Sequence, residues 1–280
     1  VKYWLLFGML TGICILCKIH GIFLWVGIGL YILIYNRKMF SQIGLYASFI
    51  ITLIIISPII FWNINNHFVT YTYHSSRVTI HDFSIHITSF LQALVGQIAY
   101  NNPINVFLIF IAIFSRQNKR FTENIFQKLL LLTGLPIIII VSAISLFDNI
   151  LPHWSGPGFV TLTFFAAACL DEKIEKDSVK MPGILKGSVC LILFTVATAL
   201  ALIFFYPGTI GSKNKYNYGK GDFTLDISGW KNFSNQYRNW LHQQPGSTHI
   251  QHLKIVCNKW FPAAHLEYYI ALPMHTRLIG

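Results

Sequence analysis

Residues 43–62 read I-G-L-Y-A-S-F-I-I-T-L-I-I-I-S-P-I-I-F-W, an apolar run with no charged side chain. A bilayer core takes about 20 mostly apolar residues per helix, so this run is expected to cross a membrane as one helix. Six further apolar runs lie at 3–17, 21–35, 103–114, 129–147, 157–170 and 185–206. Three of the seven reach spanning length and the other four are shorter. Of 280 residues, 54% are hydrophobic and 11% charged, against about 25% charged in an ordinary soluble domain. The expected fold is mainly α. A polytopic transmembrane helical bundle of about seven spans occupies 1–207, and a small α/β extracytoplasmic extension follows at 208–280.

The net charge of +11 matters less than where it sits, and no nucleic-acid partner is expected. Lys and Arg cluster in alternate loops: Arg37 and Lys38; Arg116, Lys119, Arg120 and Lys128; Lys173, Lys176, Lys180 and Lys186. The intervening loops hold only Lys18 and Arg77. By the positive-inside rule the first set is cytoplasmic. That places His20, residues 63–102, the turn L-P-H-W-S-G-P-G at 151–158 and everything after Tyr206 on the outer face. The expected location is the bacterial inner membrane, with the active site and C-terminus extracytoplasmic.

Cys14-Ile-Leu-Cys17 has the C-x-x-C spacing of redox and zinc sites, but it lies within an apolar run without a second pair. It is read as a lipid-facing or helix-packing pair, and with Cys257 alone outside the membrane no disulfide is expected. The chain starts at Val1 and enters an apolar run without a signal-peptide pattern, so further residues are expected upstream. The end at Gly280 likewise predicts a continuation.

Segment 63–102 carries His67, His74, Arg77, His81, Asp82 and His86. Nothing in it resembles H-E-x-x-H, and neither a metal nor a cofactor is expected. Residues 84–100 approximate a 3.6-residue apolar stripe and predict an amphipathic helix along the outer interface. After Pro207 the composition turns polar. Trp230, Phe233, Tyr237, Trp240 and Leu241 fall at helical spacing and Pro245-Gly246 ends that pattern. Residues 249–258 read as a short strand, and 262–270 as a helix with Pro in its first turn.

Ionisable groups near membrane depth are costly and are functional candidates by default. Lys18 and His20, in C-K-I-H-G at an outer turn, are the clearest. Lys18 is either a snorkelling lysine or a ligand for a phosphate at the membrane surface. Arg77 either grips phosphate oxygens bidentately or pairs with Asp82. Trp154 is either an interfacial anchor or a stacking surface for a sugar while His153 donates to a phosphate or hydroxyl. Gly156 and Gly158 permit close backbone approach. The outer carboxylates Asp82, Asp148, Asp222, Asp226 and Glu267 form no evident acid and base pair.

These segments together resemble a family. L-x-K-x-H-G at 16–21, S-P-x-I-x-W-N-x-x-N-x-F at 57–68, the Tyr71 to Arg77 stretch, Gly96-Gln97 and P-H-W-x-x-P-G-F at 152–159 resemble the bacterial dolichyl-phosphate-mannose-protein mannosyltransferase-like glycosyltransferases of the GT-C superfamily. The tail, with Gly229-Trp230 and N-K-W-F-P-A-A-H at 258–265, is similar to the soluble extension of one branch. The resemblance implies a membrane enzyme that moves a sugar from a polyprenyl-phosphate carrier to a protein, lipid or glycan acceptor on the outer face. It implies Lys18 and Arg77 as ligands of the carrier phosphate, with His153 and Trp154 in the site wall. The family's catalytic aspartate follows a first helix. No segment here matches it, so the catalytic base is expected either upstream of Val1 or lost, and this stretch alone is expected to lack it. A transporter or flippase of a lipid-linked or small anionic substrate is the alternative. It predicts inverted repeats, yet neither C-K-I-H-G nor the L-P-H-W turn has a second copy. A noncatalytic scaffold whose tail binds a partner is the third reading.

Overall fold

The computed structural model describes residues 1–75, 84–114, 125–171, 181–244 and 254–279. It is 76% helical with little sheet. The described residues before 206 form α1 (Lys2–Cys17), α2 (Phe23–Tyr35), α3 (Ile43–Asn65), α4 (Val69–Ser75), α5 (Ile87–Tyr100), α6 (Pro103–Phe114), α7 (Ile125–Ile144), α8 (Gly156–Asp171) and α9 (Gly183–Phe205). Every one of the seven apolar runs is thus a helix. Only α3, α7 and α9 are long and apolar enough to cross a membrane singly; α5 and α6, bent by 100° at their junction, pass that test as a pair. The reason is length. At about 1.5 Å per residue, helices of 16, 13, 12 and 16 residues fall short of a hydrocarbon core of about 30 Å.

The chain divides into two compact units, Val1–Val189 and Cys190–Gly280. The division falls inside α9 rather than after Pro207. In the first unit α1 packs along α3, α7 packs on both α2 and α8, and α8 packs on α6. Small residues set these contacts. A Cβ at Gly8 would collide with the Ser48 backbone, and one at Gly12 would meet Ile55 at 2.8 Å. Thr52 donates to the Gly8 carbonyl at 2.8 Å and receives the Trp25 indole N–H at 3.3 Å. Between apolar helices in lipid, such close approach and hydrogen bonding supply the attraction that hydrophobic burial supplies in water. At the α7–α8 crossing Gly134 and Gly158 face each other, and a Cβ on either would press the other's carbonyl oxygen at 2.9 and 2.5 Å. Ile109, Ala112, Phe159, Leu162, Phe165 and Ala166 form the core between α6 and α8.

The predicted 84–100 helix starts later, at Ile87, and the His86 N–H before it donates to the Leu146 carbonyl at 2.7 Å. Of the predicted 249–258 strand, β1 covers Lys254–Val256, and residues 249–253 lie outside the described residues.

In the second unit, α10 (Thr224–Ile227) and α11 (Trp230–His242) precede β1, and α12 (Trp260–Leu266) leads through a π-helical turn to β2 (Arg277–Ile279). Ile255 pairs with Leu278 in a parallel register, so β1, α12 and β2 make a small crossover. Leu241, Ile270 and Ala271 are its buried apolar residues. Arg77, His81, Asp82, Arg116, Lys119, Arg120, Lys173, Lys176, Lys180, Pro245 and Gly246 lie outside the described residues.

Candidate functional site

α1 stops where Lys18 adopts extended backbone, φ −157° and ψ 129°, and a 3-10 turn over Ile19–Ile22 leads into α2. Gly21 folds back against the end of α1; a Cβ there would lie 2.8 Å from the Cys14 carbonyl carbon. Lys18 is exposed at this turn and His20 is half-buried.

The opposite wall comes from the start of α8, with Thr133 and Ile137 of α7; the L-P-H-W segment leads into it. Leu151 is extended and Pro152–Ser155 forms a 3-10 turn with Pro at its first position. The Trp154 N–H donates to the Leu151 carbonyl at 3.0 Å, and the fully buried Ser155 donates its hydroxyl to the Pro152 carbonyl at 3.1 Å. α8 starts directly at Gly156, and the Gly134–Gly158 contact seats its first turn against α7.

Between these walls is a cavity of about 260 Å³, lined by Cys14, Cys17, Lys18, His20, Gly21, Thr133, Pro157, Gly158 and Thr161 together with Ile13, Phe23, Leu24 and Ile137. Lys18 is the charged member of this lining. Thr133 and Thr161 donate their hydroxyls to the Leu129 and Pro157 carbonyls, at 2.8 and 3.1 Å, so each offers a ligand only its lone pairs. Lys18 and His20 bring nitrogen-bearing side chains to this lining, beside the positive end of α8. Most of the remaining wall is apolar. The arrangement suits an amphiphile with an anionic head.

Lys18 and His20 therefore share one cavity with the first turn of α8. His153 and Trp154 are outside its lining. The His153 ring lies 5.9 Å from that of Tyr100, and the turn is held by α5, where a Cβ at Gly96 would meet Pro152 at 2.5 Å. Of the two glycines, Gly156 has open space at its Cβ position, whereas Gly158 is taken up by the helix crossing. Cys14 and Cys17 line the cavity, which a reading as a lipid-facing or packing pair did not anticipate. Their proximity to Lys18 in C-x-x-C-K was the available signal. Thr133 and Thr161 had none, since both sit within apolar runs.

Among the described residues no three His, Cys, Asp or Glu side chains gather as a metal site, and no carboxylate lines the cavity. Asp222 has a different task. It is 5% exposed and accepts hydrogen bonds from the Thr224 hydroxyl and from the N–H groups of Ile210, Gly211 and Thr224. The Thr224 hydroxyl, foremost, and these amides hold its carboxyl below an ordinary aspartate's value, against the opposing effect of burial. No family model, curated protein or solved structure matches the chain.

Proposed function

We propose that the chain is an integral membrane glycosyltransferase with a GT-C-like polytopic bundle, which moves a sugar from a polyprenyl-phosphate carrier to an acceptor on the outer face. The observation that carries the reading is the single cavity shared by Lys18, His20 and the first turn of α8. A polyprenyl phosphate is an anion on an isoprenoid chain. Lys18 and the first turn of α8 meet its charge, and Ile13, Phe23, Leu24 and Ile137 offer the chain an apolar surface.

In the reaction an acceptor hydroxyl attacks the anomeric carbon and the bond from that carbon to the phosphate oxygen breaks. The electron pair leaves on the carrier phosphate, and the hydroxyl proton passes to a base not assigned among the described residues. Lys18 stabilises the negative charge that gathers on the leaving phosphate. Arg77, on the same outer side by the charge distribution, is the second cation assigned to it. His153 and Trp154, one turn before α8, belong to the wall of the site in this reading. Membrane lipid is the remaining partner.

The test is transfer from a polyprenyl-phosphate sugar by the full-length protein in vesicles. A hydrogen bond to a charged group contributes roughly 1.5–3 kcal/mol, so Lys18→Ala and Arg77→Ala should each slow transfer about 10- to 150-fold while membrane insertion is unchanged. Wild-type turnover in both variants removes the assignment.

A further inference from the structure

The turn that follows α9 is built as a clamp. The Gly208 N–H donates to Thr224 Oγ1 at 2.9 Å, and the Ile210 and Gly211 N–H groups both donate to Asp222 Oδ2 at 3.0 Å. Leu225 lies beside Gly208, where a Cβ would sit 3.4 Å from it. Gly208 is the third residue past Phe205, the last of α9. Three residues of chain reach at most about 11 Å, and the headgroup layer on either side of the core is about 5–8 Å thick. Where α9 crosses a bilayer, Thr224 and Leu225 are held at or just beyond the headgroups.

The surface around Leu225 has the chemistry of that layer. Tyr216 and Tyr218 are 91% and 75% exposed, and Ile227 and Phe233 are also exposed. Lys213, Lys215 and Lys220 stand exposed in the same turn, against one exposed carboxylate, Asp226, since Asp222 is consumed by hydrogen bonds. Beside it an open groove of about 490 Å³ is lined by Leu225, Trp230, Phe233 and Leu266. Amphipathic aromatic rings gather at membrane–water interfaces, and lysines next to a span are drawn to anionic lipid.

We infer that this surface, the 210–227 turn with the groove beside Phe233, rests on the anionic headgroup layer of the bilayer that α9 enters. The tyrosines and Phe233 sink into the interface and the three lysines meet lipid phosphates. The inference rests on α9 as a membrane span and is independent of sugar transfer.

The experiment places photoreactive benzoylphenylalanine at Tyr216, at Phe233 and, on another flank of α11, at Asn235. The full chain is reconstituted in phosphatidylcholine vesicles containing phosphatidylglycerol. Lipid adducts are expected at Tyr216 and Phe233 and none at Asn235. Lys213→Gln, Lys215→Gln and Lys220→Gln together should cut phosphatidylglycerol adducts by about fivefold or more. On the unmodified chain, amide exchange across 213–218 should be slower in these vesicles than in neutral detergent. Adducts only to protein or glycan, equal yields at all three positions, or unchanged exchange overturn the inference. A chain that alkaline carbonate strips from the vesicles overturns it together with the membrane reading. A retained chain without lipid adducts overturns it alone.

Discussion

α3 and α9 are both 23 residues long and strongly apolar, yet 22% of the α3 apolar window is buried within the protein and only 6% of that of α9. α3 is gripped along its length by α1 through Gly8, Gly12, Ser48 and Thr52. α9 is pinned at its two ends by polar groups. Near its start Ser188 accepts from Asn102 at 2.8 Å and donates to Asn105 at 2.8 Å, and past its end the Asp222 clamp closes the turn. Hydropathy, which is alike in the two helices, does not distinguish a packed helix from an exposed one. The small residues do so only when a partner meets them. Gly8-x-x-x-Gly12 has one, whereas Gly183-x-x-x-Gly187 has open space at Gly183 and a single contact, Ile104 at 3.7 Å, at Gly187.

Gly8→Leu breaks the packed side of this contrast most strongly. With the Ser48 backbone directly in the way, overpacking should cost up to about 3 kcal/mol, read as a lower unfolding midpoint in detergent. Ser188→Ala tests the pinned side. It leaves Asn102 and Asn105 without their shared hydroxyl, and since such bonds in membranes contribute about 0.6 kcal/mol on average and up to about 1.7, the loss should fall in that range. Unchanged stability would mean that α9 is not held there.

The clamp sharpens the contrast through pH. The Asp222 carboxyl is held below its ordinary value in the folded chain, so the unfolded chain binds its proton first and stability rises with pH across that window. The contribution is complete above the ordinary carboxylate range and is lost as pH falls through the lowered folded value. Unfolding of the C-terminal unit, followed by amide exchange, should become easier in that acidic window, and Asp222→Asn should flatten the response. The smallest effect is expected for Gly187→Leu, within about 0.5 kcal/mol as for other open sites. A loss comparable to that of Gly8→Leu would erase the distinction between the two helices.

Much of the helix layout was legible because continuous apolarity is a local property; all seven runs became helices. Which helices touch was not legible, since two identical glycine spacings behave differently according to what lies opposite. The same holds at the site. C-x-x-C-K-I-H-G announced Lys18 and His20 through the cost of charge near a membrane. The placement of His153 against Tyr100, and the use of Gly158 in a helix crossing, depend on α5 and α7, which are remote in sequence. Arg77, expected from the sequence as an isolated outer cation, lies outside the described residues.

Under the proposed function Lys18 holds the anionic head of a lipid carrier in the cavity between the end of α1 and the start of α8. The most direct measurement is the affinity of the reconstituted protein for a polyprenyl phosphate, compared between wild type and Lys18→Gln. A Kd weaker by about tenfold or more with the fold intact is predicted, and an unchanged Kd contradicts it.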